Sequence, residues 1–149
     1  MIVVLDSSAM IAQLTGEPEG EAVNALLVQR NDESEDISLF AHSVNLCEVF
    51  YHVVAPRNAQ VAEESLQRLF EDGVIERNDM DGAFWRQIAG NIVAARSLIK
   101  PDGTRAALAL GDAFGVTLAN RLGSDFMTKD RGEIEPLHDA GMVSALFLR

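Results

Sequence analysis

The chain has 149 residues, 48% of them hydrophobic, and its 12 Lys and Arg stand against 23 Asp and Glu for a net charge of −11. These figures suit a single folded domain over 1–149 with its own core rather than a disordered chain, and the charge opposes broad electrostatic attraction to nucleic acid. No apolar run approaches the roughly 20 residues that span a bilayer, and MIVVL is too short and lacks the basic start of a signal peptide, so a cytoplasmic protein with no membrane partner is expected.

Residues 2 to 5 are β-branched or Leu and bounded by turn formers, which predicts a short buried strand. Ser7 or Ser8 can cap a helix running to about Leu14, ended by Gly16 and Pro18. Glu19 to Arg30 places Ala22, Val23, Leu26 and Leu27 on one helical stripe, and NDESED over 31–36 reads as a solvated acidic loop, with contact to a partner protein as the sharper alternative. Ile37 to Phe40 predicts a second strand. Ser43 to about Val54 is helical until Pro56 and Asn58. Within it Cys47, the only cysteine, excludes an internal disulfide and reads as a buried small hydrophobe.

Ala59 to Phe70 is an amphipathic helix with Ala62, Leu66, Leu69 and Phe70 inward, followed after Gly73 by a brief strand over Val74 to Glu76. A long helix is predicted from about Asp81 to Ile99, with Phe84 and Trp85 in the core rather than on a base-stacking platform. Ala106 to Leu122 contains a helix stopped by Gly123, Asp125 to Thr128 a strand, the segment across Pro136 a short helix or loop, and Met142 to Leu148 a last strand. Strands separated by helices imply an α/β fold: a central, mostly parallel sheet of about four to five strands flanked by helices.

Four acids stand where a carboxylate is costly unless it has a partner or a purpose. Asp6 ends the strand IVVL. Glu48 lies in SVNLCEVFYHVV, a helix apolar around most of its circumference and therefore expected to be largely buried, whose polar stripe is Asn45, Glu48 and His52. Asp112 lies in ALALGDAFGVTLA, where small neighbours permit close backbone approach, and Asp130 follows the strand DFMT. Singly, Asp6 and Asp112 could each be a helix cap and Asp130 a turn former; neither reading accounts for Glu48. Jointly, Asp6 and Asp130 fall just beyond strand ends, where open α/β sheets bind ligands. Carboxylates converging there would resist ionisation unless a cation neutralised them. Oxygen donors without a Cys or His set suit Mg²⁺ or Mn²⁺, and such sites activate water for phosphodiester hydrolysis.

The segments LDSSA, NLCEVF, GDAFGVTLANRLG and FMTKDRGEIEPL, in that order from Val3 to Leu137, resemble the PIN domain, in particular the VapC-type toxins of toxin–antitoxin pairs. The resemblance implies a PIN-like fold and four acidic positions, Asp6, Glu48, Asp112 and Asp130, as catalytic and metal-holding residues. It further implies Ser8 supporting the first acid, Thr128 before the last and Arg131 after it; Asn45, which shares the polar stripe of its helix with Glu48, is a further supporting candidate. By the same resemblance the activity is Mg²⁺-dependent endonucleolytic cleavage of RNA, with Mn²⁺ able to substitute, inhibited by a cognate antitoxin, and the assembly is a homodimer.

Asp125 competes with Asp130 as the last acid, but it begins its strand at the edge opposite the cleft. His42, His52 and His138 read as structural or surface residues. The charge of −11 calls for a local basic rim, for which Lys129, Arg131 and Arg96 are candidates, or for a second subunit. Two phosphotransfer readings fail on absent acids: Ser8 stands where a dehalogenase-type phosphatase has its second Asp, and no receiver-type acid pair follows the first strand. A non-catalytic PIN-like interaction module is the alternative of another class, and retention of all four acids argues against it.

Overall fold

The computed structural model describes residues 1–32, 36–54 and 58–149. The acidic loop expected over 31–36 falls in large part on 33–35, and the helix break expected at Pro56 falls on 55–57; both lie outside the described residues.

Among the described residues the strands are β1 (Ile2–Leu5), β2 (Ser38–His42), β3 (Val74–Arg77), β4 (Asp125–Thr128) and β5 (Ala145–Phe147). They form one sheet in the order β3-β2-β1-β4-β5, every neighbouring pair parallel. The helices are α1 (Ser7–Thr15), α2 (Glu21–Asn31, after a 3-10 turn at Pro18–Gly20), α3 (Ser43–Val54), α4 (Ala59–Asp72), α5 (Gly82–Ala95), α6 (Leu110–Leu122) and α7 (Arg131–Asp139). No helix among the described residues is long and apolar enough to cross a membrane.

Alternation along β1 divides the core in two, because successive side chains of a strand point to opposite faces. Val3 and Leu5 join Leu39 and Ala41 of β2 under α1 to α4, while Val4 joins Phe126 of β4 under α5 to α7. A sheet covered on both faces explains the nearly unbroken apolar runs of β1 and β4. All five strands run the same way, so their carboxyl ends share one edge, where α1, α3 and α7 begin.

Several boundaries and burials differ from expectation. Helix α1 is capped by Asp6 rather than by a serine: its carboxylate accepts the Ala9 N–H at 2.7 Å, and Gly16, at φ 70°, closes the helix. Helix α5 stops at Ala95 instead of Ile99, because Pro101 disfavours helical backbone just before it and Ile99 instead bridges Arg105. The Ala106 N–H bonds Leu98 C=O, which holds that stretch extended and delays α6 to Leu110. Helix α3 is covered on one side only; Cys47, Tyr51 and His52 face solvent, so the cysteine is exposed and not a core residue. Ala22 and Phe70 also lie outward, and of the aromatic pair only Phe84 is buried, while Trp85 carries the Arg86 guanidinium on its ring.

Candidate metal centre

Asp6 is 1% exposed at the carboxyl end of β1. Its two oxygens take the Ala9 N–H, the Ser8 hydroxyl at 2.7 and 2.9 Å, and the Thr128 hydroxyl at 2.5 Å. Burial pushes its carboxyl up to about 6 against these three donors, and the facing charge of Asp130 pushes it further in the same direction. The two hydroxyls also bind the opposite strand's exit: Ser8 Oγ accepts the Lys129 N–H and Thr128 Oγ1 the Asp130 N–H, each at 2.9 Å. Ser8 and Thr128 therefore both donate to the carboxylate of Asp6 while holding the turn that bears Asp130.

Asp130 caps α7 by accepting the Glu133 N–H at 3.2 Å. That cap brings in an acid which sequence reasoning missed. Asp112, Asp130 and Glu133 each present a carboxylate oxygen, and the three oxygens lie within 4.8 Å of one another. Asp-x-x-Glu at positions 130 and 133 is the spacing of a capping box, so Glu133 reads in sequence as a helix-start residue; only the placement of α7 at the sheet edge turns it toward the cleft.

Asp112 sits in the first turn of α6, whose N-cap is Ala109, so it is not the cap. Burial, a bond to Glu133, and the charges of Asp6, Glu133 and Asp130 together push its carboxyl up to about 8. A bond between the two carboxyls requires a proton on one of them. Glu133 Oε2 is buried without a hydrogen-bond partner among the described residues. A cation would satisfy that oxygen and relieve the repulsion. The donor set fits Mg²⁺ or Mn²⁺: it is all oxygen, and ligands about 2.1 Å from one ion lie about 3 to 4 Å apart, within reach of a small side-chain adjustment.

Glu48 stands beside this group and is not one of its three members. Its carboxylate accepts from Asn45 Nδ2 at 2.9 Å, and Asn45, fully buried, donates also to Gly111 C=O at 3.0 Å. Asn45 thus ties α3 to α6 next to Asp112.

The basic residues adjoining Asp130 are already paired. Lys129 bonds Glu17 and lies 3.9 Å from Glu19. Arg131 bonds Glu135 at 3.2 Å and lies over the Phe147 ring. Arg131 and Gly132 also line an open groove of about 760 Å³ between α7 and residues 98–102. Asp125 is held by the Ser144 hydroxyl at the start of β4, away from the cluster. His42 is buried, donating to Asp79 C=O at 2.8 Å while its other ring nitrogen accepts the Val44 N–H, a structural role.

No protein-family model and no curated protein matches the sequence. Solved structures do. VapBC2 from Rickettsia felis, bound to a DNA fragment from its promoter, matches with a TM-score of 0.71 at 13% identity over 100% of both chains. VapBC-1 from nontypeable Haemophilus influenzae matches at 0.68 and 13% identity over 99% of this chain and 98% of that one. VapC20 from Mycobacterium tuberculosis, a toxin that cleaves the sarcin-ricin loop, matches at 0.63 and 12% identity over 89% and 93%. With all-parallel topology and helices on both faces, this chain has the PIN-like fold of the VapC toxins.

Proposed function

We propose that the chain is a Mg²⁺-dependent endoribonuclease, the toxin of a type II toxin–antitoxin pair. The observation that carries the reading is the convergence of Asp112, Asp130 and Glu133 within 4.8 Å, with the charge of Asp6, outside that trio, acting on Asp112. Asp6, Asp112, Asp130 and Glu133 would hold the ion, with Glu48 alongside; Mn²⁺ would substitute. Bound there, the metal would supply a nucleophilic water at neutral pH and charge to stabilise the phosphodiester's leaving oxygen.

The chain's own residues prepare that chemistry. Ser8 and Thr128 orient Asp6 and fix the turn bearing Asp130, so two of the acids are held without side-chain freedom. Burial and the neighbouring acids favour the protonated form of Asp112, whose proton a bound cation would displace. Since Lys129 and Arg131 are engaged by glutamates, RNA capture would depend on the ion or on a partner chain. The VapBC neighbours are toxin–antitoxin assemblies, which supports a cognate antitoxin here, and the resemblance in sequence supports a homodimer.

The test is cleavage of single-stranded RNA by the purified chain with Mg²⁺, with EDTA, and with Asp112→Asn. The expected result is cleavage that needs metal and is lost in the variant. Cleavage unchanged by EDTA or by Asp112→Asn would overturn the assignment.

A further inference from the structure

Gly111 lies in the first turn of α6, one residue before Asp112, and its Cα is the seat of the Glu48 carboxylate. A Cβ at position 111 would stand 2.4 Å from Glu48 Oε1 and 2.8 Å from both Cδ and Oε2. All three of the nearest atoms belong to the end of that one side chain. Asn45 closes the arrangement by bonding the Glu48 carboxylate and the Gly111 carbonyl with the same amide nitrogen. Helix α6 has no side-chain cap at its N-terminus, and a carboxylate placed against its first turn is favoured by the helix dipole.

We propose that Gly111 is a positioning residue whose missing side chain sets where Glu48 stands beside the acidic cluster. The proposal rests on reading that cluster as a metal centre. Alanine at 111 separates placement from folding. Gly111 has helical backbone, where alanine is the better residue, and the atoms in the way are the movable tip of a glutamate rather than backbone. The substitution therefore leaves the helix intact and drives Glu48 from its seat.

The experiment titrates Mn²⁺ into wild type, Gly111→Ala, Glu48→Gln and the double variant by calorimetry, with melting temperatures for each. Gly111→Ala is expected to melt at or above wild type while weakening Mn²⁺ by about tenfold, the scale on which outer-shell supports act. In the double variant it should add nothing to Glu48→Gln, since both act through one carboxylate. Glu48→Asp, one methylene shorter, should recover part of the affinity in the Gly111→Ala background. Wild type that takes up no Mn²⁺ overturns the metal reading and this proposal together. Wild type that binds while Gly111→Ala binds equally, or effects that simply add, overturns the role of Gly111 alone. Early melting of Gly111→Ala that Glu48→Asp does not correct also overturns it, because the clash would then lie elsewhere.

Discussion

Thr128 donates its hydroxyl to Asp6 Oδ2 and with the same oxygen accepts the Asp130 N–H, so one side chain at the end of β4 holds both the acid beyond β1 and the turn beyond its own strand. Thr128→Val keeps the shape but removes one donor from a buried carboxylate and leaves the Asp130 N–H without its partner. Stranding buried polar groups costs about 1–3 kcal/mol. The variant should lose stability of that order in urea denaturation and Thr128→Ser should recover most of it. Equal stability of valine and threonine at this position would show that the bridge contributes nothing.

Asp6 and Asp112 make the stability of the metal-free chain depend on pH. Their folded-state values, about 6 and about 8, both lie above the ordinary 3.8. A raised carboxyl contributes stability that is fully present below its unfolded value and is lost as pH rises through the folded value. Asp79 is shifted the other way, to about 2, by the Arg77 and Arg121 guanidiniums, so its contribution is lost only below pH 4. Between pH 5 and 8 the two raised acids govern the slope. In EDTA the chain should melt higher at pH 5 than at pH 8, and Mg²⁺ should raise the melting temperature more at pH 8. A flat profile would mean that the cluster carries no unrelieved repulsion.

Asp112→Asn follows from the same balance and separates stability from function. It removes the most strained charge, so without metal at pH 8 it should melt above wild type, while its response to Mg²⁺ should disappear. A variant that melts lower, with Mg²⁺ still stabilising it, would place the ion elsewhere.

How far the sequence predicts this site depends on which interaction decides each residue. The apolar run of β1, the αL glycines Gly16, Gly73 and Gly123, and the match of α3 to Ser43–Val54 are local matters of patterning and backbone freedom, and they are legible. So are Asp6 and Asp130, because strand ends are visible. The strand order is tertiary and no pattern in the sequence gives it; the convergence of Asp112 with them is tertiary too, and is expected only from the ligand-binding edge of open α/β sheets and from the family resemblance. Glu133 is hidden because its spacing from Asp130 matches the fourth position of a capping box, although the Asp130 N–H goes to Thr128 instead. Glu48 was conspicuous as a mid-helix acid, yet one side of α3 is open to water, and what fixes its place is the absent side chain of Gly111. No periodicity in α3 could reveal that.

Two glycines complete the contrast with Gly111. At Gly20, which is buried, a Cβ would meet the backbone of Ala12 and Gln13 at 2.5 to 2.7 Å, so the 3-10 turn and α1 would have to part. Gly20→Ala should cost about 1–3 kcal/mol, the usual range for overpacking. It should also loosen the turn that carries Glu17 and Glu19, the partners of Lys129. Gly90 lies exposed within α5 with nothing within 4 Å of its would-be Cβ. Gly90→Ala removes backbone freedom from the unfolded chain without touching a neighbour, and should stabilise by about 0.5–1 kcal/mol. Denaturation of the two variants side by side measures both effects. Gly20→Ala as stable as wild type would mean that α1 and the 3-10 turn are not in the close contact described, because no flexible side chain stands there to yield.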